Sequence, residues 1–309
     1  MGSADTRDRR LAWCWALTAL VALVDSACLA RAGWAPPWRT LGGVALADLA
    51  LAAPLLLDRY RREARLAAML GAAALLVTFS ACAATLSYLA VAANAPLVDA
   101  PLAAADRSLG FDFAAAQAAV HAHPRLAHAF ALAYASGLAQ IALVVLALGT
   151  AGRLTQLSAF LRAFCLATLA AIAVSAVLPA AGPWTYLGTG TPEQRAVLAH
   201  FEALRAGTLR DFPGAAAQGL ISMPSLHAAG AVLLMAALRG TRLALPACAW
   251  NLLMLASTPT CGGHYLVDVI AGIALAAAAI AADRALAAPR RRPAPTCAAR
   301  HDPVMEATR

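Results

Sequence analysis

The chain is mostly a series of apolar runs separated by short polar connections. A helix needs about 20 apolar residues to cross the hydrocarbon core of a bilayer. Runs of about this length predict membrane spans at residues 11–31, 41–57, 66–93, 127–149, 157–178, 222–239, 243–259 and 264–283. We therefore predict an all-α, polytopic transmembrane bundle of about eight spans.

Three segments fall outside this pattern. Residues 94–125 are too polar to cross a bilayer, and their alanine content predicts a helix lying at the membrane interface. The connection 179–221 is rich in proline and glycine, which is typical of turns. We predict N-terminal membrane spans in 1–93, a catalytic membrane domain in 94–283, and a disordered basic cytoplasmic tail in 284–309.

The composition supports a membrane protein. The chain is 61% hydrophobic and 13% charged, whereas soluble proteins carry about 25% charged residues. Its basic residues are all arginines, and with eight spans most of them fall on the side of the N-terminus. This bias predicts cytoplasmic N- and C-termini. The scattered arginines do not form a nucleic-acid-binding patch, and the lysine-free, alanine-rich composition favours a bacterial inner membrane.

The cysteines give no sign of a metal site or a disulfide framework. Their number is odd, none forms a CxxC pair, and most lie inside apolar runs. We predict neither a metal nor another cofactor. The oligomeric state is not indicated.

Two polar clusters interrupt the apolar runs, one at residues 223–227 and the other at 257–268. In the predicted topology both lie at the outer boundary of the membrane. His264 and Asp268 are four residues apart, which places them on one face of a helix. The carboxylate is then expected to accept a hydrogen bond from one ring nitrogen and leave the other free to attack a substrate.

The neighbouring residues suggest an anion site. Gly262 and Gly263 are expected to leave backbone amides available at a helix N-terminus. Ser225 is expected to offer its hydroxyl and its amide to the same anion. His227 is then placed to give a proton to a leaving oxygen.

These clusters resemble the second and third signature motifs of the type 2 phosphatidic acid phosphatase superfamily, which includes the vanadium haloperoxidases. The matching residues are Pro224-Ser225-x-His227 and Ser257-x6-His264-x3-Asp268. The resemblance implies a six-helix catalytic core in which His264 forms a phosphohistidine. It further implies that His227 protonates the leaving group and that Asp268 orients the nucleophile.

The motifs also depart from the family pattern. Leu226 and Thr258 stand where glycine and arginine are usual, and the lysine of the first motif is missing. With Gly182-Pro183-Trp184, these changes look closer to the branch of inositol phosphorylceramide synthases, which are phosphotransferases. The candidates for the missing phosphate-binding cations are Arg162, Arg195, Arg205 and Arg210.

Other polar residues in the predicted spans have two explanations each. Asp25 and Asp48 either pair with an arginine or water, or contact a substrate. Tyr134, Ser136 and Gln140 form a polar stripe that favours hydrogen bonding between helices, with a wall of the substrate cavity as the alternative.

The sequence therefore predicts phosphoryl or substituted-phosphoryl transfer from a lipid phosphate ester, at a site facing the periplasm or exterior. The motifs do not distinguish a phosphatase, with water as acceptor, from a transferase, with a lipid alcohol as acceptor. Two alternatives remain. One is a membrane transporter, and the other is a catalytically inactive scaffold, suggested by the missing first motif.

Overall fold

The computed structural model describes residues 5–196 and 198–287, which form an all-helical bundle. The all-α prediction is confirmed for this part of the chain. The last helix continues to Ala287, so residues 284–287 of the predicted tail are helical, and the rest of that tail lies outside the described residues.

The helices follow the apolar runs closely. The longer ones are α1 (Asp5–Ala32), α2 (Trp38–Ala52), α4 (Ala64–Ala92), α7 (Pro124–Ala135), α8 (Gly137–Thr150), α9 (Leu154–Val177), α13 (Leu226–Leu238), α14 (Ala244–Gly262) and α15 (Leu266–Ala287). The shorter ones are α3 (Asp58–Arg61), α5 (Asp99–Ser108), α6 (Phe113–His121), α10 (Pro183–Tyr186), α11 (Pro192–Ala196) and α12 (Ala199–Arg205). Two 3₁₀ turns, Ala53–Leu56 and Gly214–Ala216, complete the set in the described residues.

We predicted about eight membrane spans, but fewer helices have the length and hydropathy that a span requires. Within the described residues five do so: Leu11–Ala32, Trp38–Leu56, Ala64–Ala92, Leu154–Val177 and Leu266–Leu286. The pair α7–α8 makes a sixth if it is counted as one span. A helix is present at each of the two remaining predicted positions, but α13 has only 13 residues and α14 is not among the helices that qualify.

The centre of the bundle is α13, which packs against α8, α9, α14 and α15. Next to it, α4 packs against α8 and α9. The first two helices are peripheral: α1 contacts α4 and α9, while α2 contacts α4 and has no buried residue. Six predicted spans, α13 among them, therefore form the middle of the bundle. Helix α4 is one of the six, although it precedes our predicted catalytic domain.

The polar stripe at residues 134–140 coincides with a bend. The axes of α7 and α8 meet at 54° around Ser136. Gln140 donates to Ser136 Oγ and accepts a 2.7 Å hydrogen bond from Asn251 of α14, and Trp250 also donates to Ser136 Oγ. The interhelical explanation therefore holds for Ser136 and Gln140. Tyr134, in contrast, lines a cavity.

The segment predicted as one interfacial helix consists of two short helices, α5 and α6. The inner face of α5 carries Asp99 and Asp106, each only 3% exposed. These positions are seven residues apart and so share one helix face. This face packs against α10 and the start of α15, which brings two carboxylates next to the histidine motif.

Candidate active site

A cavity of about 530 Å³ lies between α4, α8, α9 and α13. Its size falls in the usual range for small-molecule sites, about 300–1,000 Å³. Both motif histidines, His227 and His264, line it. The rest of its wall is largely apolar and includes Leu138, Ile141, Phe164, Ile172, Leu233, Leu234 and Met254.

His264 lies in the short link between α14 and α15 and is 4% exposed. Its Nδ1 is 3.0 Å from the backbone carbonyl oxygen of Ser222. A carbonyl oxygen can only accept a hydrogen bond, so Nδ1 carries the proton in this contact. The neutral ring then has its lone pair on Nε2, as nucleophilic attack requires.

The expected hydrogen bond between Asp268 and His264 is not formed. Asp268 Oδ2 lies 3.6 Å from His264 Nδ1, beyond hydrogen-bonding distance. Oδ2 instead accepts 3.0 Å hydrogen bonds from Ser222 Oγ and from the amide of Tyr265. The reason is that Asp268 is in the first turn of α15, where a carboxylate reaches back to the preceding amide. Asp268 therefore holds Ser222, and the carbonyl of Ser222 orients His264.

His227 is the second residue of α13 and stacks on Tyr134. The ring centroids are 3.9 Å apart and the planes are inclined by 19°. Ser225 caps this helix, because its side chain accepts from the Ala228 amide while its own amide donates to the Asp268 carbonyl. Ser225 is fully buried and does not line the cavity, so our prediction that it offers its hydroxyl and amide to an anion is wrong.

The predicted glycine amides are also engaged. Gly262 ends α14, and the amides of Gly263 and His264 both donate to the carbonyl of Pro259. The two glycines lie at a helix C-terminus, the opposite of what we predicted. Gly263 has φ +62°, and a Cβ atom there would lie 2.6 Å from the indole ring of Trp184. Glycine at 263 is thus required for backbone conformation and for close packing, and the residue still lines the cavity.

None of the four predicted arginines lines the cavity. Arg162 forms a two-pronged ion pair with Asp283 near the far end of α15. Asp283 is 15 residues beyond Asp268, about 22 Å along a helix. The other three lie in the connection 179–221. Arg205 donates to the carbonyl of Ala95, Arg210 donates to that of Gly207, and Arg195 is exposed.

The described part of the cavity wall contains no arginine, aspartate or glutamate. Ser257 and Thr258 do not contribute either, because both are fully buried and donate to the Met254 carbonyl within α14. Within the described residues no three His, Cys, Asp or Glu side chains come together as a metal site. The polar groups available to a ligand are therefore imidazole, hydroxyl, amide and indole groups.

Two carboxylates that support the site were missed by our reading of the sequence. Asp99 accepts hydrogen bonds from the amides of Ala181 and Gly182 and from the hydroxyl of Tyr265. Asp106 accepts from the amides of Leu266 and Val267, at 2.8 and 3.0 Å. Burial raises the pKa of the Asp106 carboxyl, while those two amides oppose the rise. The available signal was the seven-residue spacing of two acids on an otherwise alanine-rich helix.

The comparisons with known proteins agree with the motif resemblance at the level of the family. No curated protein and no solved structure shows significant similarity to the chain. The profile of the PAP2 superfamily, however, matches residues 100–282, which include all of α5 except Asp99, both histidines and Asp268. Because this match covers more than half of the sequence, the chain belongs to the PAP2 superfamily.

Proposed function

We propose that this protein is a membrane phosphatase or phosphotransferase that acts on a lipid phosphate ester through a phosphohistidine at His264. Membership of the PAP2 superfamily supports phosphatase-type activity on phosphate esters. The observation that carries the finer proposal is the cavity, which has both histidines in its wall and extends past the apolar side chains of Ile141, Phe164 and Leu233. Such a wall suits a substrate with an acyl chain.

The chemistry proceeds in two steps. Nε2 of His264 attacks phosphorus, the bond from phosphorus to the departing alcohol oxygen breaks, and His227 gives that oxygen a proton. An acceptor hydroxyl then attacks the phosphohistidine, His227 takes its proton, and the nitrogen–phosphorus bond breaks. With water as acceptor the product is free phosphate, or a phosphomonoester if the substrate was a diester. With a lipid alcohol as acceptor the product is a new lipid phosphate ester, as the resemblance to inositol phosphorylceramide synthases suggests.

The experiment is a transfer assay with purified protein in detergent. A panel of lipid phosphate monoesters and diesters is incubated with and without lipid-alcohol acceptors, and both the released headgroup or phosphate and the new lipid are measured. We expect turnover that is lost in His264→Ala. His128→Ala is the matched control, because His128 is exposed and does not line the cavity.

The two products distinguish hydrolysis from transfer. Release without an acceptor means a phosphatase, whereas product that forms only with an acceptor means a transferase. Equal activity of His264→Ala and the wild type would contradict the mechanism. An inactive wild type across the panel would favour the scaffold or the transporter. No residue of the described cavity wall specifically supports the transporter.

The proposed setting is a bacterial inner membrane, with both termini in the cytoplasm and the site opening on the periplasmic side. The lipid substrate and the surrounding membrane lipids are the proposed binding partners. The absence of a nucleic-acid partner stays a prediction.

A further inference from the structure

Tyr134 lines the cavity and stacks on the motif residue His227. It is the penultimate residue of α7, immediately before the bend at Ser136, and its ring covers the face of His227. The sequence placed it in a polar stripe with Ser136 and Gln140, but only those two residues join the hydrogen-bonded contacts with α14. The bend therefore separates Tyr134 from the interhelical network, and its neighbours in the cavity are His227 and Gly262.

The phenolic oxygen of Tyr134 lies close to the reactive edge of His264. A Cβ atom on Gly262 would be 2.5 Å from Tyr134 Oη and 2.6 Å from His264 Cδ2. The two atoms are thus neighbours across a position that has no side chain. Cδ2 is bonded to Nε2, the ring nitrogen that carries the lone pair when Nδ1 donates to Ser222. The hydroxyl therefore lies within about 5 Å of the ring carbon that is bonded to the nitrogen expected to attack phosphorus.

This hydroxyl forms no hydrogen bond to any other described residue, and it is not among the fully enclosed polar atoms. Tyr134 lines the cavity, so the free O–H has access to whatever occupies it. Trp184, another residue of the wall, has a buried Nε1 that also lacks a partner in the described residues. A wall without described arginines needs such neutral donors if it is to hold an anion.

We propose that Tyr134 is a further catalytic residue, whose hydroxyl donates a hydrogen bond to a phosphoryl oxygen of the substrate and of the phosphohistidine. Its ring has a second role, which is to hold His227 by stacking in the orientation needed for proton transfer. No covalent step is added, because the phenol keeps its proton throughout. The inference rests on the proposed function and names the group that takes the place of a missing cation.

The test separates the hydroxyl from the ring. Tyr134→Phe keeps the stacked ring and removes only the O–H, while Tyr134→Leu removes both. Loss of one donor to a developing oxyanion costs about 10²-fold in kcat, so we expect Tyr134→Phe to lose about that factor with little change in KM. We expect Tyr134→Leu to lose more. Tyr60→Phe is the matched control, since Tyr60 is exposed and does not line the cavity.

A second measurement does not depend on the identity of the lipid. Orthovanadate is a phosphate-shaped oxyanion that can bond to an imidazole nitrogen, and a bound ligand raises the unfolding temperature. We expect orthovanadate to stabilise the wild type and Tyr60→Phe, to stabilise Tyr134→Phe less, and to leave His264→Ala unchanged.

The outcomes are distinct. If Tyr134→Phe folds normally and matches the wild type in both kcat and orthovanadate response, the hydroxyl has no such role and the inference is overturned. A defect confined to Tyr134→Leu would reduce Tyr134 to a positioning residue for His227, which also overturns the proposed donor. If the wild type neither turns over nor responds to orthovanadate, the proposed function itself fails and the inference falls with it.

Discussion

At the scale of single residues, the main correction concerns how the nucleophile is oriented. The motif spacing places a carboxylate one turn from His264, but the hydrogen bond to Nδ1 comes from the backbone of Ser222. Asp268 acts one step further away, through Ser222 Oγ, and its negative charge stays 3.6 Å from the ring. Asp268 can therefore affect catalysis in two separate ways. Its hydrogen bonds position Ser222, and its charge acts on the ring of His264.

Asp268→Asn tests the charge. An asparagine oxygen can still accept from Ser222 and Tyr265, so we expect the variant to fold. The loss of a negative charge near a ring that becomes positive is expected to lower kcat by about 10- to 100-fold, equivalent to about 1.4–2.7 kcal/mol. The measurement is steady-state turnover beside the unfolding temperature. Unchanged turnover would mean that Asp268 only maintains the local backbone. Asp112→Asn, at an exposed helix cap, is the control.

At the scale of elements, the short helix α5 is hydrogen-bonded both to the link before α10 and to the start of α15. Asp99 binds the link that precedes Trp184 and also the hydroxyl of Tyr265, while Asp106 caps the first amides of α15. An unpaired N-terminal amide in a buried position is costly, and these carboxylates satisfy several of them. The position of His264 therefore depends on a helix more than 150 residues earlier in the chain.

Asp106→Ala tests this connection. Two amides of α15 lose their acceptor, and we expect a loss of about 2–4 kcal/mol in the free energy of unfolding. We also expect a marked loss of turnover, because α15 begins two residues after His264. Asp112→Ala removes a helix cap away from the cavity, which costs about 1 kcal/mol and should leave turnover intact. Equal effects of the two substitutions on turnover would argue against a role for α5 in positioning the site.

At the scale of the whole molecule, the bundle has two distinct ends. Helix α4 has 29 residues and is about 43 Å long, which exceeds the hydrocarbon thickness of a bilayer. Near its C-terminal end Tyr88 contacts His200 and Gln218 of the connection 179–221. Near its N-terminal end Arg65 donates to the carbonyl of Thr150. The cavity belongs to the first end, and the Arg162–Asp283 pair to the second.

The proposed topology places these ends on opposite sides of the membrane. In a variant without native cysteines, we expect Thr208→Cys to react with a membrane-impermeant maleimide in intact spheroplasts. Arg61→Cys should react only after lysis, since both positions are exposed but lie toward different ends of α4. The readout is the fraction of protein labelled before and after lysis. The reverse pattern would place the catalytic end in the cytoplasm.

The sequence predicted those features that have a local signature. Apolar runs gave the position of each long helix. The predicted topology and the resemblance to the two family motifs placed His227 and His264 at one site, and both line the cavity. Contacts without such a signature were missed. A backbone carbonyl such as that of Ser222 can orient a ring whatever its side chain is, and Arg162 finds its carboxylate 121 residues away. The capping roles of Asp99 and Asp106 likewise require knowledge of which helix ends they face.

The close packing around Gly262 has a consequence for which residues related sequences can carry. Any side chain there would displace either the phenol of Tyr134 or the ring of His264. A relative that carries alanine or serine at this position is therefore expected to have lost the tyrosine as well, and to have acquired another hydrogen-bond donor nearby. Positions 134 and 262 should vary as a pair across related sequences, although 128 residues separate them.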